Sequence, residues 1–134
     1  AFQAIISFNV LEHVEAGILP DYVRDMARIL APGGYAFHKI DVGDHLAYFA
    51  PGVSKKNYLR YSEGTWRRFF ENRLQYFNRV QRPTWLAMFR EAGLELVHQE
   101  AQFANIASLP IARQYAGLSQ EDLACVGFQV VYRK

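Results

Sequence analysis

The sequence predicts an α/β fold built on parallel strands. Two short apolar runs, Phe2–Phe8 and Tyr35–Val42, flank an amphipathic helical pattern at Leu19–Leu30. A strand, a helix and a second strand in this order form a unit whose two strands are parallel and whose crossover is right-handed. Further strand patterns follow later in the chain, so the unit belongs to a larger sheet.

The composition indicates a globular protein. The chain has 134 residues, of which 51% are hydrophobic, and this is enough for one core and one domain over residues 1–134. The 15 basic and 13 acidic side chains are too balanced to predict binding to nucleic acid or to an anionic membrane. The single cysteine, Cys125, forms no internal disulfide and favours the cytoplasm. No segment has the length of a membrane span or the pattern of a signal peptide.

The first elements are predicted from their hydrophobic patterns. Phe2–Phe8 contains adjacent isoleucines and is typical of a strand buried on both faces. The next apolar residues recur at three- and four-residue steps, and Pro20 suits the first turn of this helix. Pro32 and the two glycines after it end the helix before the second strand.

The second half of the chain is less regular. A long connection, Gly43–Tyr61, is typical of a lid or a binding loop. Ser62 and Ser119 are predicted to cap helices. The remaining predicted elements are a helix at Glu63–Asn72, a helix at Pro83–Ala92, a strand at Leu94–Ala101, one helical turn after Ser119 and a last strand at Cys125–Arg133.

Polar side chains follow both early strands. Asn9, Glu12 and His13 come directly after the first strand, while Asp41, Asp44 and His45 follow the second. Because the carboxyl ends of parallel strands lie at one edge of a sheet, both groups are expected at the same edge, where such sheets bind ligands.

Three segments resemble the second half of a class I S-adenosylmethionine-dependent methyltransferase domain. They are FQAIISFNVLEHV, LPDYVRDMARILAPGGYAFHKID and WLAMFREAGLELV. The resemblance implies a Rossmann-like sheet that is mostly parallel, with an antiparallel last strand and flanking helices. The family's glycine-rich cofactor loop has no counterpart in these residues, so S-adenosylmethionine binding is expected to be incomplete without upstream residues, and the isolated chain is expected to be inactive.

The resemblance also implies where the cofactor lies. Ser7, Phe8 and Asn9 would run along its methionine part, although Asn9 would alternatively satisfy backbone groups in a turn. His13 would face the acceptor pocket, or its ring would pack on the surface of the domain. Glu12 is expected to be exposed.

The second polar group suits proton transfer. A hydroxyl acceptor of a methyl group must lose its proton, and a histidine oriented by a carboxylate can accept it. His45 is therefore predicted to be the base, with Asp44 or Asp41 as its partner. The alternative is that both carboxylates cap a turn around Gly43 and that His45 is solvated. The spacing of the four histidines predicts no metal site.

The middle of the chain, residues 43–82, is predicted to be an acceptor-site insert or lid. Five arginines alternate with aromatic residues in Asn57–Arg79, which is compatible with a nucleic-acid surface, but a core of aromatics with paired arginines is favoured. A third interpretation is an acceptor pocket formed by Tyr61, Trp66 and Arg79. The segment resembles inserts of methyltransferases that act on glycan or lipid-linked acceptors.

These observations predict methyl transfer, with O-methylation of a small-molecule or glycan acceptor as the expected reaction. The alternative is a non-catalytic, truncated methyltransferase-like module. Without the family's first strand, the segment Phe2–Phe8 would be an exposed edge. We therefore expect it to pair either with a second copy in a homodimer or with a missing N-terminal half.

Overall fold

Four β-strands and four α-helices form the regular structure of the chain. The computed structural model describes residues 1–134. In chain order the elements are β1 (Phe2–Phe8), α1 (Leu19–Ile29), β2 (Leu30–Asp41), α2 (Glu63–Phe69), α3 (Arg82–Glu91), β3 (Glu95–Phe103), α4 (Gln120–Ala124) and β4 (Cys125–Arg133). Short 3₁₀ turns include Leu11–His13 after β1 and His45–Tyr48 after β2.

The four strands form one sheet in the order β1-β2-β4-β3. β1 and β2 are parallel, with Ile5 opposite Ala36. β4 is antiparallel to both of its neighbours, so β1, β2 and β3 run in one direction and only the last strand is reversed. The predicted fold class is confirmed, and the carboxyl ends of β1 and β2 lie at the same edge of the sheet.

β1 is an edge strand, because only β2 pairs with it. The prediction that Phe2–Phe8 is buried on both faces is wrong for this chain, since Phe2 is 60% exposed and Ile6 is 62% exposed. The apolar run was interpreted correctly as a strand, but burial depends on neighbouring elements that the pattern alone does not supply.

The first helix has the predicted form. Pro20 lies in the first turn of α1, and Leu19, Val23 and Met26 are buried against the sheet. β2 begins at Leu30, five residues before the predicted start at Tyr35, because Leu30 already pairs with Phe2. Gly33 adopts a φ of +76° within this irregular start of the strand, a conformation that glycine allows at little cost.

The other predicted boundaries shift by a few residues. α2 is capped by Ser62 as expected but ends at Phe69, since Asn72 Oδ1 accepts hydrogen bonds from the amides of Leu74 and Gln75 and forms a turn. α3 begins one residue early, β3 extends to Phe103, and Ser119 caps α4.

The buried side chains form two clusters. The larger lies between the sheet and helices α1 and α3 and includes Ile40, Phe89 and Tyr132. The smaller joins the middle segment to residues 106–123 and contains Tyr58, Leu59, Trp66, Phe77, Ile106, Tyr115 and Leu123. None of the helices has the length and apolar character needed to cross a membrane.

Candidate active site

The carboxyl end of β1 turns sharply at Asn9. This residue has a left-handed backbone with a φ of 52°, and its amide donates to Lys39 O at 2.9 Å. Its side chain is exposed and makes no hydrogen bond within the protein. Phe8 packs its ring at 5.3 Å from that of Phe37, and Ser7 Oγ lies 2.8 Å from His38 Nδ1. The side-chain amide of Asn9 and part of the Phe8 ring therefore face outward.

The 3₁₀ turn that follows is held by the middle segment. Asn78 donates from its backbone amide to Glu12 O at 2.7 Å. The side-chain amide of Asn78 donates to Leu11 O and Val14 O, both at 2.9 Å. Glu12 is 1% exposed, so the expectation of an exposed carboxylate is wrong. Neither carboxylate oxygen of Glu12 accepts a hydrogen bond, and burial raises its pKa.

Asp41 is the central carboxylate at the end of β2. Its Oδ1 accepts from the amide of Gly43 at 2.8 Å, and its Oδ2 accepts from the hydroxyl of Tyr48. His45 Nε2 lies 3.7 Å from Asp41 Oδ2, which allows electrostatic attraction but is too long for a hydrogen bond.

Asp44 lies beside this group but faces its own backbone. Its Oδ1 accepts from the amide of Leu46 at 2.9 Å and caps the 3₁₀ turn at His45–Tyr48. Its Oδ2 is buried without a partner, and burial raises the pKa of Asp44. The turn-capping alternative therefore describes Oδ1 of both Asp41 and Asp44, but it is wrong about a solvated His45, whose side chain is 14% exposed. A catalytic role for Asp44 stays a prediction.

Two imidazole rings meet above the ends of β1 and β2. The rings of His13 and His45 are 5.2 Å apart in an edge-to-face arrangement, and His45 stacks on Phe77 at 4.4 Å. Burial lowers the pKa of His45, although the charge of Asp41 opposes this effect. His13 is exposed, and its Nδ1 lies 2.7 Å from the carbonyl oxygen of Tyr76.

A cavity of about 210 Å³ lies at this edge of the sheet. Its lining includes Asn9, Asp41, Gly43, Asp44 and Tyr48. The structure thus brings one of the three predicted cofactor residues together with two of the three predicted catalytic residues, while His45 lies on the other side of Asp41 against His13.

Comparison with known families gives a match for most of the chain. The profile of a family described as "Methyltransferase domain" matches residues 1–99, which include β1, α1, β2, α2 and α3. The chain belongs to this methyltransferase family.

Solved structures share the fold of this methyltransferase chain. An S-adenosylmethionine-dependent methyltransferase from Mesorhizobium loti is 18% identical, with a TM-score of 0.57, over 99% of this chain and 62% of that one. A SAM-dependent methyltransferase from Methanosarcina mazei is 12% identical, with a TM-score of 0.56, over 99% of this chain and 59% of that one.

A third structure is the N-methyltransferase NodS from Bradyrhizobium japonicum in complex with S-adenosyl-L-homocysteine. It is 17% identical, with a TM-score of 0.49, over 99% of this chain and 46% of that one. The chain therefore spans 46% to 62% of the length of these three structures. No curated protein sequence matches the chain.

The three acceptor residues predicted in the middle of the methyltransferase chain lie close together. The Arg79 guanidinium stacks 5.0 Å from the Trp66 ring, and the Tyr61 ring lies 6.4 Å from the same indole. Trp66 is buried in the smaller cluster, whereas Arg79 lines a groove of about 1240 Å³. Arg79 Nη2 also lies 3.0 Å from Glu63, so the paired-arginine interpretation describes part of its environment.

Three residues at or near the site of the methyltransferase were not predicted from the sequence. Glu12 O accepts a hydrogen bond from Asn78, which is distant in sequence, and Tyr48 reaches Asp41 from a loop with no regular pattern. Lys56 is fully buried beneath the loop, where its ammonium has four oxygen acceptors within 3.2 Å for its three N–H groups. Of these three residues, only Glu12 has a signal in the sequence, because it belongs to the group of polar residues that directly follows β1.

Proposed function

We propose that the chain is the part of an S-adenosylmethionine-dependent methyltransferase that holds the methionine portion of the cofactor and the acceptor. The observation that carries the proposal is the shared cavity of Asn9, Asp41 and Asp44 at the carboxyl ends of parallel strands, where ligands bind in α/β sheets. Family membership supports the same reaction class.

The residues at the end of β1 fit such a cofactor. The free side-chain amide of Asn9 can bond to amino or carboxylate groups, and the Phe8 ring offers an exposed apolar surface. Ser7 would contribute through its backbone, because its hydroxyl is bonded to His38. When bound, S-adenosylmethionine supplies an electrophilic methyl group on a sulfonium.

The proposed reaction is O-methylation of a small-molecule or glycan acceptor. The protein must align the hydroxyl with the methyl group and accept its proton. The cluster around Asp41 contains two imidazoles and the Tyr48 hydroxyl, which are groups that can orient and deprotonate a hydroxyl. The groove that contains Arg79 supports a role for the middle segment, residues 43–82, in holding the rest of the acceptor.

The near balance of charges supports a soluble acceptor over nucleic acid, and the single buried Cys125 supports a cytoplasmic location. Both are proposals that follow from composition.

Calorimetry with S-adenosylhomocysteine tests cofactor binding by the natural full-length protein. The variant Asn9→Gly keeps the left-handed backbone and removes only the amide, so it should weaken binding about tenfold, the effect of losing one hydrogen bond. Gln75→Gly, at an exposed loop position that does not line the cavity, is the control for the introduction of a glycine. Equal binding by wild type and Asn9→Gly would remove Asn9 from the site.

Transfer is tested with methyl-labelled S-adenosylmethionine and a panel of catechol, glycerol and cellobiose. Labelled ether in any product supports O-methylation. If the folded, natural full-length protein shows no S-adenosylhomocysteine binding and no label transfer, the proposed function is refuted.

A second candidate, a self-associating module, is favoured by the exposed edge of β1. Phe2 and Ile6 present apolar side chains beside unpaired backbone groups, which is the arrangement that promotes strand pairing. We propose that β1 pairs with another strand, either of a second copy or of residues upstream in the natural protein. Light scattering that gives a monomer, together with fast amide exchange throughout β1, would contradict this pairing.

A further inference from the structure

The two adjacent imidazoles at the candidate site are not equivalent. The rings of His13 and His45 lie 5.2 Å apart beside Asp41, and neither ring lines the cavity that contains Asn9 and Asp41. Their hydrogen bonds and surroundings decide which ring has an available lone pair.

The hydrogen bond of His13 fixes its tautomer. Nδ1 lies 2.7 Å from the backbone carbonyl oxygen of Tyr76. A carbonyl oxygen can only accept a hydrogen bond, so Nδ1 must carry the proton. In the neutral ring the lone pair is therefore on Nε2, which has no hydrogen-bond partner in the protein and belongs to an exposed residue.

His45 is less suited to accept a proton from a ligand. Its side chain is 14% exposed, and its Nε2 is buried without a hydrogen bond, 3.7 Å from Asp41. One face of the ring is covered by Phe77 at a centroid distance of 4.4 Å. Burial also lowers the pKa of His45, which makes it a weaker base.

Two buried or partly buried carboxyl groups lie near His13. Glu12, on the same turn, has a buried carboxylate whose oxygens accept no hydrogen bond. The elements packed against His13 present His45 and, behind it, Asp41 and Tyr48 from the end of β2, and the Tyr76 carbonyl from the middle segment.

We propose that Nε2 of His13 is the proton acceptor of the methyl transfer, with Tyr76 O holding the ring in the required tautomer. The inference rests on the function proposed above. The acceptor O–H bond breaks as its proton passes to Nε2, the oxygen electron pair forms the new bond to the methyl carbon, and the electrons of the carbon–sulfur bond remain on sulfur.

The tautomer is tested without any turnover. Long-range ¹H–¹⁵N spectra of the full chain in mildly alkaline buffer should show His13 protonated at Nδ1 and unprotonated at Nε2. Diethyl pyrocarbonate, which acylates unprotonated imidazole nitrogens, should modify His13 faster than His45, while buried His38 stays unmodified. A proton on Nε2, or slower acylation of His13 than of His45, would overturn the proposal.

Transfer to the catechol, glycerol and cellobiose panel tests the catalytic role. His13→Gln should lower the rate about 10²- to 10⁴-fold, the range for loss of a general base, and leave S-adenosylhomocysteine binding unchanged. His98→Gln, on exposed β3, is the matched control and should transfer like wild type.

The outcomes separate the two proposals. If wild type transfers methyl groups and His13→Gln keeps its rate while His45→Gln loses it, the assignment of His13 fails and the methyl-transfer function stands. If the natural full-length protein neither binds S-adenosylhomocysteine nor transfers methyl groups, the proposed function fails and the His13 assignment fails with it, whatever the tautomer.

Discussion

Replacing Lys56 with methionine should destabilise the fold strongly. Lys56 is 0% exposed, and the three N–H groups of its ammonium are shared among four acceptors, which are Val42 O, Tyr58 Oη, Gln81 Oε1 and Cys125 O. These acceptors come from the end of β2, the middle segment, the residue before α3 and the start of β4. One side chain therefore connects four parts of the chain at the edge of the sheet.

The size of the effect follows from which acceptors keep another donor. Val42 O still accepts from the Tyr58 hydroxyl at 2.6 Å, and Tyr58 Oη still accepts from Gln81 Nε2 at 2.8 Å. Gln81 Oε1 and Cys125 O lose their side-chain donor. An unsatisfied buried acceptor costs about 1–3 kcal/mol, so the two together give a loss of about 2–6 kcal/mol.

Burial lowers the pKa of Lys56 to about 8, so removal of the ammonium also relieves a desolvation cost. This relief reduces the loss of stability but does not reverse it. The charge has four acceptors, and breaking such a buried arrangement is destabilising.

Urea unfolding followed by tryptophan fluorescence measures the change, since Trp66 and Trp85 are both buried. Lys55→Met is the matched control, because the neighbouring Lys55 side chain is exposed and its substitution should change stability by less than about 0.5 kcal/mol. A Lys56→Met variant as stable as the control would refute the assignment of these hydrogen bonds as stabilising.

Two further predictions concern stability. Burial lowers the pKa of His38 to about 4, so the unfolded chain binds a proton that the folded chain excludes, and stability should fall as pH drops below about 6.5, by about 3 kcal/mol once the pH is below 4. Acid titration of the unfolding free energy checks this: His38→Leu should flatten the dependence, and the control His98→Gln should keep it. Ser119→Ala removes the cap of α4, where Ser119 Oγ accepts from the Asp122 amide at 3.0 Å, and should cost about 1 kcal/mol by urea unfolding. Ser108→Ala, at an exposed serine without such a bond, should cost nothing, and equal midpoints for the two variants would contradict the capping role.

Local patterns were sufficient for most of the fold. The three- and four-residue spacing of α1, the serine caps of α2 and α4 and the apolar run of β4 each depend on neighbours in sequence, and the structure has these elements within a few residues of the predicted bounds. The burial of β1 was predicted wrongly, because it depends on how many strands pair with it.

The candidate site was predictable only in part. The clustering of Asn9, Asp41 and Asp44 follows from parallel strands that end at one edge, which the sequence pattern indicates. Asn78 donates a hydrogen bond to Glu12 O, and the tautomer of His13 depends on the carbonyl of Tyr76. Both contacts join segments more than sixty positions apart in the sequence, and no local pattern reports them.

The hydrogen bonds from Asn78 to the turn after β1 have a consequence for engineering the chain. Asn78 connects the middle segment, which is proposed to hold the acceptor, to the turn that contains His13 through three hydrogen bonds. A redesign of the middle segment that replaces Asn78 will also displace the imidazole of His13. Acceptor selectivity and turnover should therefore change together in libraries that vary this residue. Libraries that keep Asn78 fixed should separate the two properties.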